Sequence, residues 1–251
     1  MKNDIVIPSI AWILLTAICL VFIIVGVKAA LKRTGWQKST TSRILTRTII
    51  ALIGWGTLLS ILSYYGFFSD FGLVPPRPAL AMLVPLPIVL IIALSKKGTE
   101  FLQAVPQQWI IWMQSFRIFV ELLLLLAFLK NMLPVQMTLE GMNFDIISGL
   151  LALTTGYIIA RKKPYATKIA IAFNIIGFLL LLNILIIAVL SMPTSIRYFM
   201  NEPANTIVGQ FPFIFLPGIL VPMAYTLHIF SLRQLSLNAK AKSVVQLTPA
   251  A

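Results

Sequence analysis

The sequence predicts an all-α polytopic membrane protein with seven transmembrane helices, its N-terminus outside and its C-terminus inside. Three observations carry that prediction. Seven apolar stretches recur along the 251 residues, each close to the ~20 residues that a bilayer core requires. Charged residues make up 11% of the chain, against about 25% in soluble domains, so little is left for a soluble domain beside the helices. The basic residues fall in clusters between alternate stretches, which is how membrane topology is encoded.

The stretches cover residues 5–30, 44–67, 78–94, 107–129, 144–160, 168–190 and 211–232. The first reads as a retained helix, not a signal peptide. Asp4 offsets Lys2, the run is longer than a usual signal core, and lysines and arginines follow it in place of a cleavage site. The third stretch is short and rich in proline, and the fifth is also short. Lys28, Lys32, Arg33, Lys38, Arg43 and Arg47 surround the first connection. Lys96 and Lys97 lie in the third, Arg161, Lys162, Lys163 and Lys168 in the fifth, and Arg233, Lys240 and Lys242 follow the last stretch. Only Lys2, Arg77, Lys130 and Arg197 fall on the other side, together with Asp4, Asp70, Glu140, Asp145 and Glu202. The positive side is the cytoplasmic one. Residues 1–235 then form one transmembrane domain, and 236–251 a short, polar, disordered cytoplasmic tail.

A net charge of +13 would suit a nucleic-acid binder if it lay on one face. Here the clusters sit between apolar runs, so the expected partners are membrane lipids and a small solute, with no nucleic acid. The single cysteine, Cys19, excludes an intramolecular disulfide. The single histidine, His228, excludes His-rich metal motifs, and no metal or cofactor is expected. Motifs of serine hydrolases and zinc proteases are missing as well, which argues against an enzyme.

The stretch 107–129 organises the rest. Gln114, Arg117 and Glu121 lie inside it at i, i+3 and i+7, so a helix puts them on one face. An ionisable group at membrane depth costs about 3 kcal/mol, so that face must look into protein or water. Arg117 and Glu121, four residues apart, can pair within the helix. Such a pair either holds the bundle together or serves a site, and the sequence leaves both open. At ~1.5 Å per residue Glu121 lies roughly 12–14 Å below the outer boundary, and Asn183 about 10 Å below it, within reach of each other. Asn143 and Asp145 stand at the outer mouth, where capping of the fifth helix is an alternative role. Asn174, Tyr225 and His228 lie in the inner half, and Thr57, Ser60 and Tyr64 share a face of the second helix. Together these groups suggest a polar seam running from the outer mouth toward the cytoplasm.

Residues 84–92 and 221–229 echo each other without a gap. Val84/Val221, Pro85/Pro222, Leu90/Leu227 and Ile92/Ile229 are identical, and Gly54 and Gly177 share a mid-helix place. This suggests a repeat of three helices (5–94), a linker helix (107–129) and three helices (144–232). Pro85, Pro87, Pro217 and Pro222 lie inside the echoing helices and are hinge candidates, because each removes a backbone donor. Two outer connections are long. Residues 130–143 are neither plainly polar nor a span, and 191–210 has room for a short interfacial helix carrying Tyr198 and Phe199. Such loops serve as lids, binding surfaces or headgroup anchors.

Seven helices with an outer N-terminus resemble rhodopsins and receptors, but no lysine lies between 211 and 232 to carry retinal. The three-one-three architecture is similar to that of small sugar-efflux and PQ-loop transporters, although the only Pro-Gln pair, Pro106-Gln107, opens the linker helix. The stretch F-P-F-I-F-L-P-G-I-L-V-P at 211–222, H-I-F-S-L at 228–232 and E-G-M-N-F-D at 140–145 resemble an uncharacterised family of bacterial seven-helix integral membrane proteins. That resemblance covers the second half of the chain and implies no activity. The expectation is a carrier of a small solute in the cytoplasmic membrane, with Glu121 available for proton coupling. The alternative is a non-transporting sensor, assembly factor or partner-binding subunit. A cavity that reaches Glu121 would separate the two.

Overall fold

The computed structural model of the chain describes residues 2–247. These residues form helices and connections, with no strand among them. The helices are α1 (Lys2–Leu31), α2 (Lys38–Tyr64), α3 (Arg77–Leu94), α4 (Lys96–Ala104), α5 (Gln107–Leu129), α6 (Ile146–Ala160), α7 (Ala166–Leu190) and α8 (Val221–Leu247). Among the described residues, α2, α3, α5, α7 and the Ile5–Leu31 part of α1 are long and apolar enough to cross a membrane, and α6 is a shorter apolar helix. An all-helical bundle of this hydropathy is the expected solution where water cannot satisfy the backbone.

Two expectations are corrected. Residues 236–247 are not a disordered tail, because α8 runs on to Leu247 as one helix; residues 248–251 lie outside the described residues. The outer connection 191–210 forms no interfacial helix. Its backbone turns tightly, with the N–H groups of Tyr198 and Phe199 both donating to the carbonyl of Leu190, and only Ile207–Gly209 makes a 3-10 turn. In that connection Arg197 and the Ala204 N–H both donate to Glu202, and the Arg197 bond chiefly holds its carboxyl below the ordinary range. The connection after α3, read only for its two lysines, carries a helix of its own, α4. Ser95 caps it by accepting from the Gly98 N–H at 2.9 Å, and Leu102 is buried beneath it.

The hinge candidates sit where the backbone departs from α geometry. α3 is interrupted at Val84, and Pro85 opens its second segment, where a missing N–H costs nothing. Pro217 lies in a π-helical turn, Leu216–Leu220, and Pro222 is the second residue of α8 after it. A third irregularity, in α5, carries no proline. The N–H groups of Gln114 and Ser115 bond three residues back, to Ile111 and Trp112, both at 3.0 Å. This tightened turn falls just before Arg117, and mid-helix 3-10 turns often mark functional positions.

One apolar cluster joins α1, α5, α7 and α8 through Trp12, Phe116, Leu124, Leu181, Leu220 and Tyr225. Trp12 meets Phe213 edge to face at 6.1 Å. α2 lies at the margin, and only 6% of its apolar window is buried. α6 presses on α5 through glycines. A β-carbon on Gly149 would lie 2.9 Å from the backbone N of Ile118, and one on Gly156 would enter the Trp112 ring. Close helix packing through small residues is the usual device where lipid is the solvent.

The contact predicts the effect of one substitution. Gly149→Val should lower stability by about 1–3 kcal/mol, because Ile118 backbone cannot move aside as a side chain can. Thermal unfolding in detergent should show this as a lowered midpoint; an unchanged midpoint would mean that α5 and α6 do not pack in this register.

Candidate functional site

The tightened turn in α5 and the helix after it deliver Gln114, Arg117 and Glu121 to the bundle interior, each 1% exposed. The shared face read from their spacing is therefore present and faces protein. Their partners differ from the expected ones. Arg117 does not depend on Glu121. Its Nε donates to Asp145 Oδ2 at 2.6 Å, and its Nη2 donates to Asp145 Oδ1. Asp145 occupies the cap position of α6, yet its carboxylate caps nothing; it forms a two-pronged ion pair. Ser148 Oγ adds a hydrogen bond to Oδ1 at 3.2 Å. Asn143 Oδ1 accepts from the Asp145 N–H at 3.1 Å, closing the turn that leads into α6.

The guanidinium has two further acceptors. Nη2 donates to the Gly177 carbonyl at 3.1 Å, and Nη1 faces His228 Nε2 at 3.0 Å. Arginine carries only donors, so Nε2 must accept and the ring proton sits on Nδ1. That proton donates to Asn174 Oδ1 at 3.0 Å, and Asn174 Nδ2 donates to Ser231 Oγ at 2.8 Å. A chain of buried bonds thus links Asp145, Arg117, His228, Asn174 and Ser231 across α6, α5, α8 and α7. Gly177 makes it possible, since a β-carbon there would lie 2.6 Å from the imidazole Cε1 and 3.5 Å from Arg117 Nη1.

Glu121 is held differently. Its Oε2 accepts from Asn143 Nδ2 at 2.6 Å, and Asn143 also donates to the Met137 carbonyl at 3.0 Å. Among the described residues no hydrogen bond engages Oε1. The expected meeting with Asn183 does not occur. Asn183 donates to the Met142 carbonyl at 2.9 Å, because another face of α7, carrying Leu181, Ile184, Leu185 and Ala188, is the one turned inward here. Met137 belongs to a 3-10 turn, Val135–Met137, by which the connection 130–143 dips into the bundle. Gln136 in that turn donates to Ser191 Oγ at 3.0 Å. This is why the segment looked neither polar nor spanning.

The other candidates stand apart from the chain of bonds. Tyr225 ties α8 to α3 through the Met82 carbonyl at 3.0 Å, and Gln114 ties α5 to α8 through the Ala224 carbonyl at 3.0 Å. The polar face of α2 is not part of the seam, since Ser60 bonds the Gly56 carbonyl of its own helix and Tyr64 is 83% exposed. Gly177 was read only as a mid-helix echo of Gly54, and Ser148 and Ser231 were not singled out at all. The last two carried a usable signal, lying three residues from Asp145 and His228 respectively.

A cleft reaches this cluster. Its empty space is about 750 Å³, including the part open to the surroundings. Glu121, Arg117 and Asp145 line it beside Met82 and Ala79 of α3, Leu181, Leu185 and Ala188 of α7, and Pro217 and Leu220 before α8. At the end of the bundle that carries Trp36 and Gln234, polar contacts tie the helices together. Trp36 Nε1 donates to Glu100 at 2.9 Å, Arg33 stacks over Trp109, and Gln234 Nε2 donates to the carbonyls of Leu102 at 2.6 Å and Val105 at 2.5 Å. Among the described residues no group of His, Cys, Asp and Glu could hold a metal ion.

Arg117 and Asp145 should be energetically coupled. Asp145→Leu alone leaves the guanidinium buried without its counter-charge, at a cost of about 3–5 kcal/mol. Arg117→Met combined with Asp145→Leu should cost less than the two single changes added, and Glu121→Gln should cost less than Asp145→Leu. Unfolding free energies in detergent measure all four variants, and simple additivity would rule the coupling out.

A family model described as Domain of unknown function (DUF8737) matches residues 76–236, more than half of the chain. No curated protein and no solved structure matches the sequence. The matched span begins at α3 and contains every residue named in the buried cluster and its cleft; α1 and α2 precede it.

Proposed function

The chain belongs to the DUF8737 family, and from that premise we propose that it is a multi-pass carrier of a small solute, with its site at the α5 cluster. Seven spans cross the cytoplasmic membrane in this reading: α1, α2, α3, α5, α6, α7 and α8, with the N-terminus outside. The apolar helices and the sidedness of the basic clusters support it. α6 at 15 residues rises only about 22 Å. The inserted connection 130–143 makes up the outer part of its path.

One observation carries the carrier reading. A cleft leads to Glu121 and the Arg117–Asp145 pair. Intramembrane ionisable groups beside a cavity are the usual mark of a substrate or ion path. The irregular turns at Val84 and Leu216–Leu220 lie on the two helices that border the cleft and the inner ties, so they are placed to hinge. The partner-binding alternative draws on α2, which lies at the margin of the bundle with little of its span buried.

Two measurements test this reading. Cysteines introduced at Gln37 and at Glu140, both exposed, should react with an impermeant maleimide from opposite sides of the membrane; reaction from one side removes the seven-span topology. A library of small solutes and amphiphiles, screened by thermal shift in detergent, should yield a stabilising ligand. Its uptake into proteoliposomes should fall at least tenfold in Glu121→Gln. No stabilising compound, or full uptake by that variant, would leave the partner-binding reading in its place.

A further inference from the structure

We propose that the cleft takes an amphiphile with one apolar chain and a protonated amine head, which enters sideways from the bilayer between α3 and α7 and pairs with the Glu121 carboxylate. The inference rests on the carrier reading for the location of the site and goes beyond it in naming the ligand class and the route.

The shape gives the route. α3 and α7 each pack on α8 and face each other across a gap. Met82, Leu181 and Leu185 line the cleft and also a second groove, which continues along Leu86, Phe178, Leu182 and Tyr225 with about 500 Å³ of empty space, including the part open to the surroundings. Leu182 and Phe178 are among the exposed apolar residues of α7, so this groove opens on the surface that lipid would cover. A solute coming from water would meet aliphatic walls along the way. An alkyl chain would meet surroundings like those it left, and it would fill space that the side chains leave empty.

The charge count gives the head. Asp145 is taken up by Arg117 and Ser148, and Arg117 by Asp145, the Gly177 carbonyl and His228. These two opposite charges cancel. His228 accepts at Nε2 and is neutral in this arrangement. Glu121 remains as the surplus acid of the cleft, bonded through Oε2 to Asn143 and through Oε1 to nothing among the described residues. A carboxylate at this depth calls for a cation or a proton. A primary ammonium supplies the charge and up to three donors, and its chain suits the walls. An anionic head would add a second negative charge, and a neutral head would leave the carboxyl to be compensated by a proton alone.

The test uses the full chain in phosphatidylcholine nanodiscs with three probes of equal chain length: decylammonium, decanol and decanoate. Thermal unfolding should show a saturable rise in midpoint with decylammonium, and apparent affinity at least tenfold weaker for the other two. Glu121→Gln should weaken decylammonium at least tenfold. Ala188→Trp, which obstructs the cleft without removing the carboxylate, should do the same and guards against misreading a folding defect in the first variant. Equal shifts with decanol, a preference for decanoate, or decylammonium affinity retained in both variants would overturn the proposal. If no probe shifts the midpoint while a hydrophilic solute from the library does, the carrier reading stands and this inference falls. If neither set binds, both fall.

Discussion

The buried guanidinium of Arg117 is the group on which the interior depends. A cation at membrane depth has no water to solvate it, and its stability requires acceptors from the protein. The structure supplies them from three other helices: Asp145 at the head of α6, the Gly177 carbonyl in α7 and His228 in α8. Each acceptor fixes a neighbour in turn. Asp145 is positioned by Asn143, and His228 by Asn174. A single unsatisfied charge thereby sets the rotation of several helices about their own axes. Apolar contacts alone would do this weakly, because lipid chains offer the same contacts.

That dependence explains what the sequence could and could not reveal. The spacing of Gln114, Arg117 and Glu121 sufficed to put them on one inward face, because helix periodicity is local. It could not identify Asp145 as the partner of Arg117, 28 positions on, because that contact depends on how α5 and α6 cross. Proximity in sequence favoured Glu121, and geometry favoured a carboxylate that can present both oxygens to the fork of the guanidinium. Asn183 lies on another face of α7 than the reading assumed, since rotation about the helix axis follows from packing. α4 was missed because nine residues with two lysines resemble a charged connection; only its cap at Ser95 and the buried Leu102 mark it. The disordered tail was inferred from polarity, yet α8 continues through it to Leu247.

The two faces of the bundle are finished differently. On the side that the basic clusters assign to the cytoplasm, α1, α4, α5 and α8 are joined by polar ties at Trp36, Arg33 and Gln234. On the other side a connecting segment folds inward and lends Met137 and Asn143 to the interior. The first side is held by side chains reaching across helices. The other side is formed by irregular backbone, pinned at several points by side chains such as Asn143 and Asn205. Regular helices give the bundle its span, and the departures from regularity give it its polar interior.

The hydrogen bonds from Arg117 inward all point one way. Arg117 donates to His228, His228 to Asn174, and Asn174 to Ser231. Successive dipoles aligned in this sense polarise one another and strengthen the row. They also make it an insulator. To pass a proton along the row, the imidazole would have to exchange its tautomer against a guanidinium that can only donate, and the Asn174 amide would have to turn over. As bonded here, the row from Arg117 to Ser231 is set to hold its dipoles in one sense and not to relay a proton along its length.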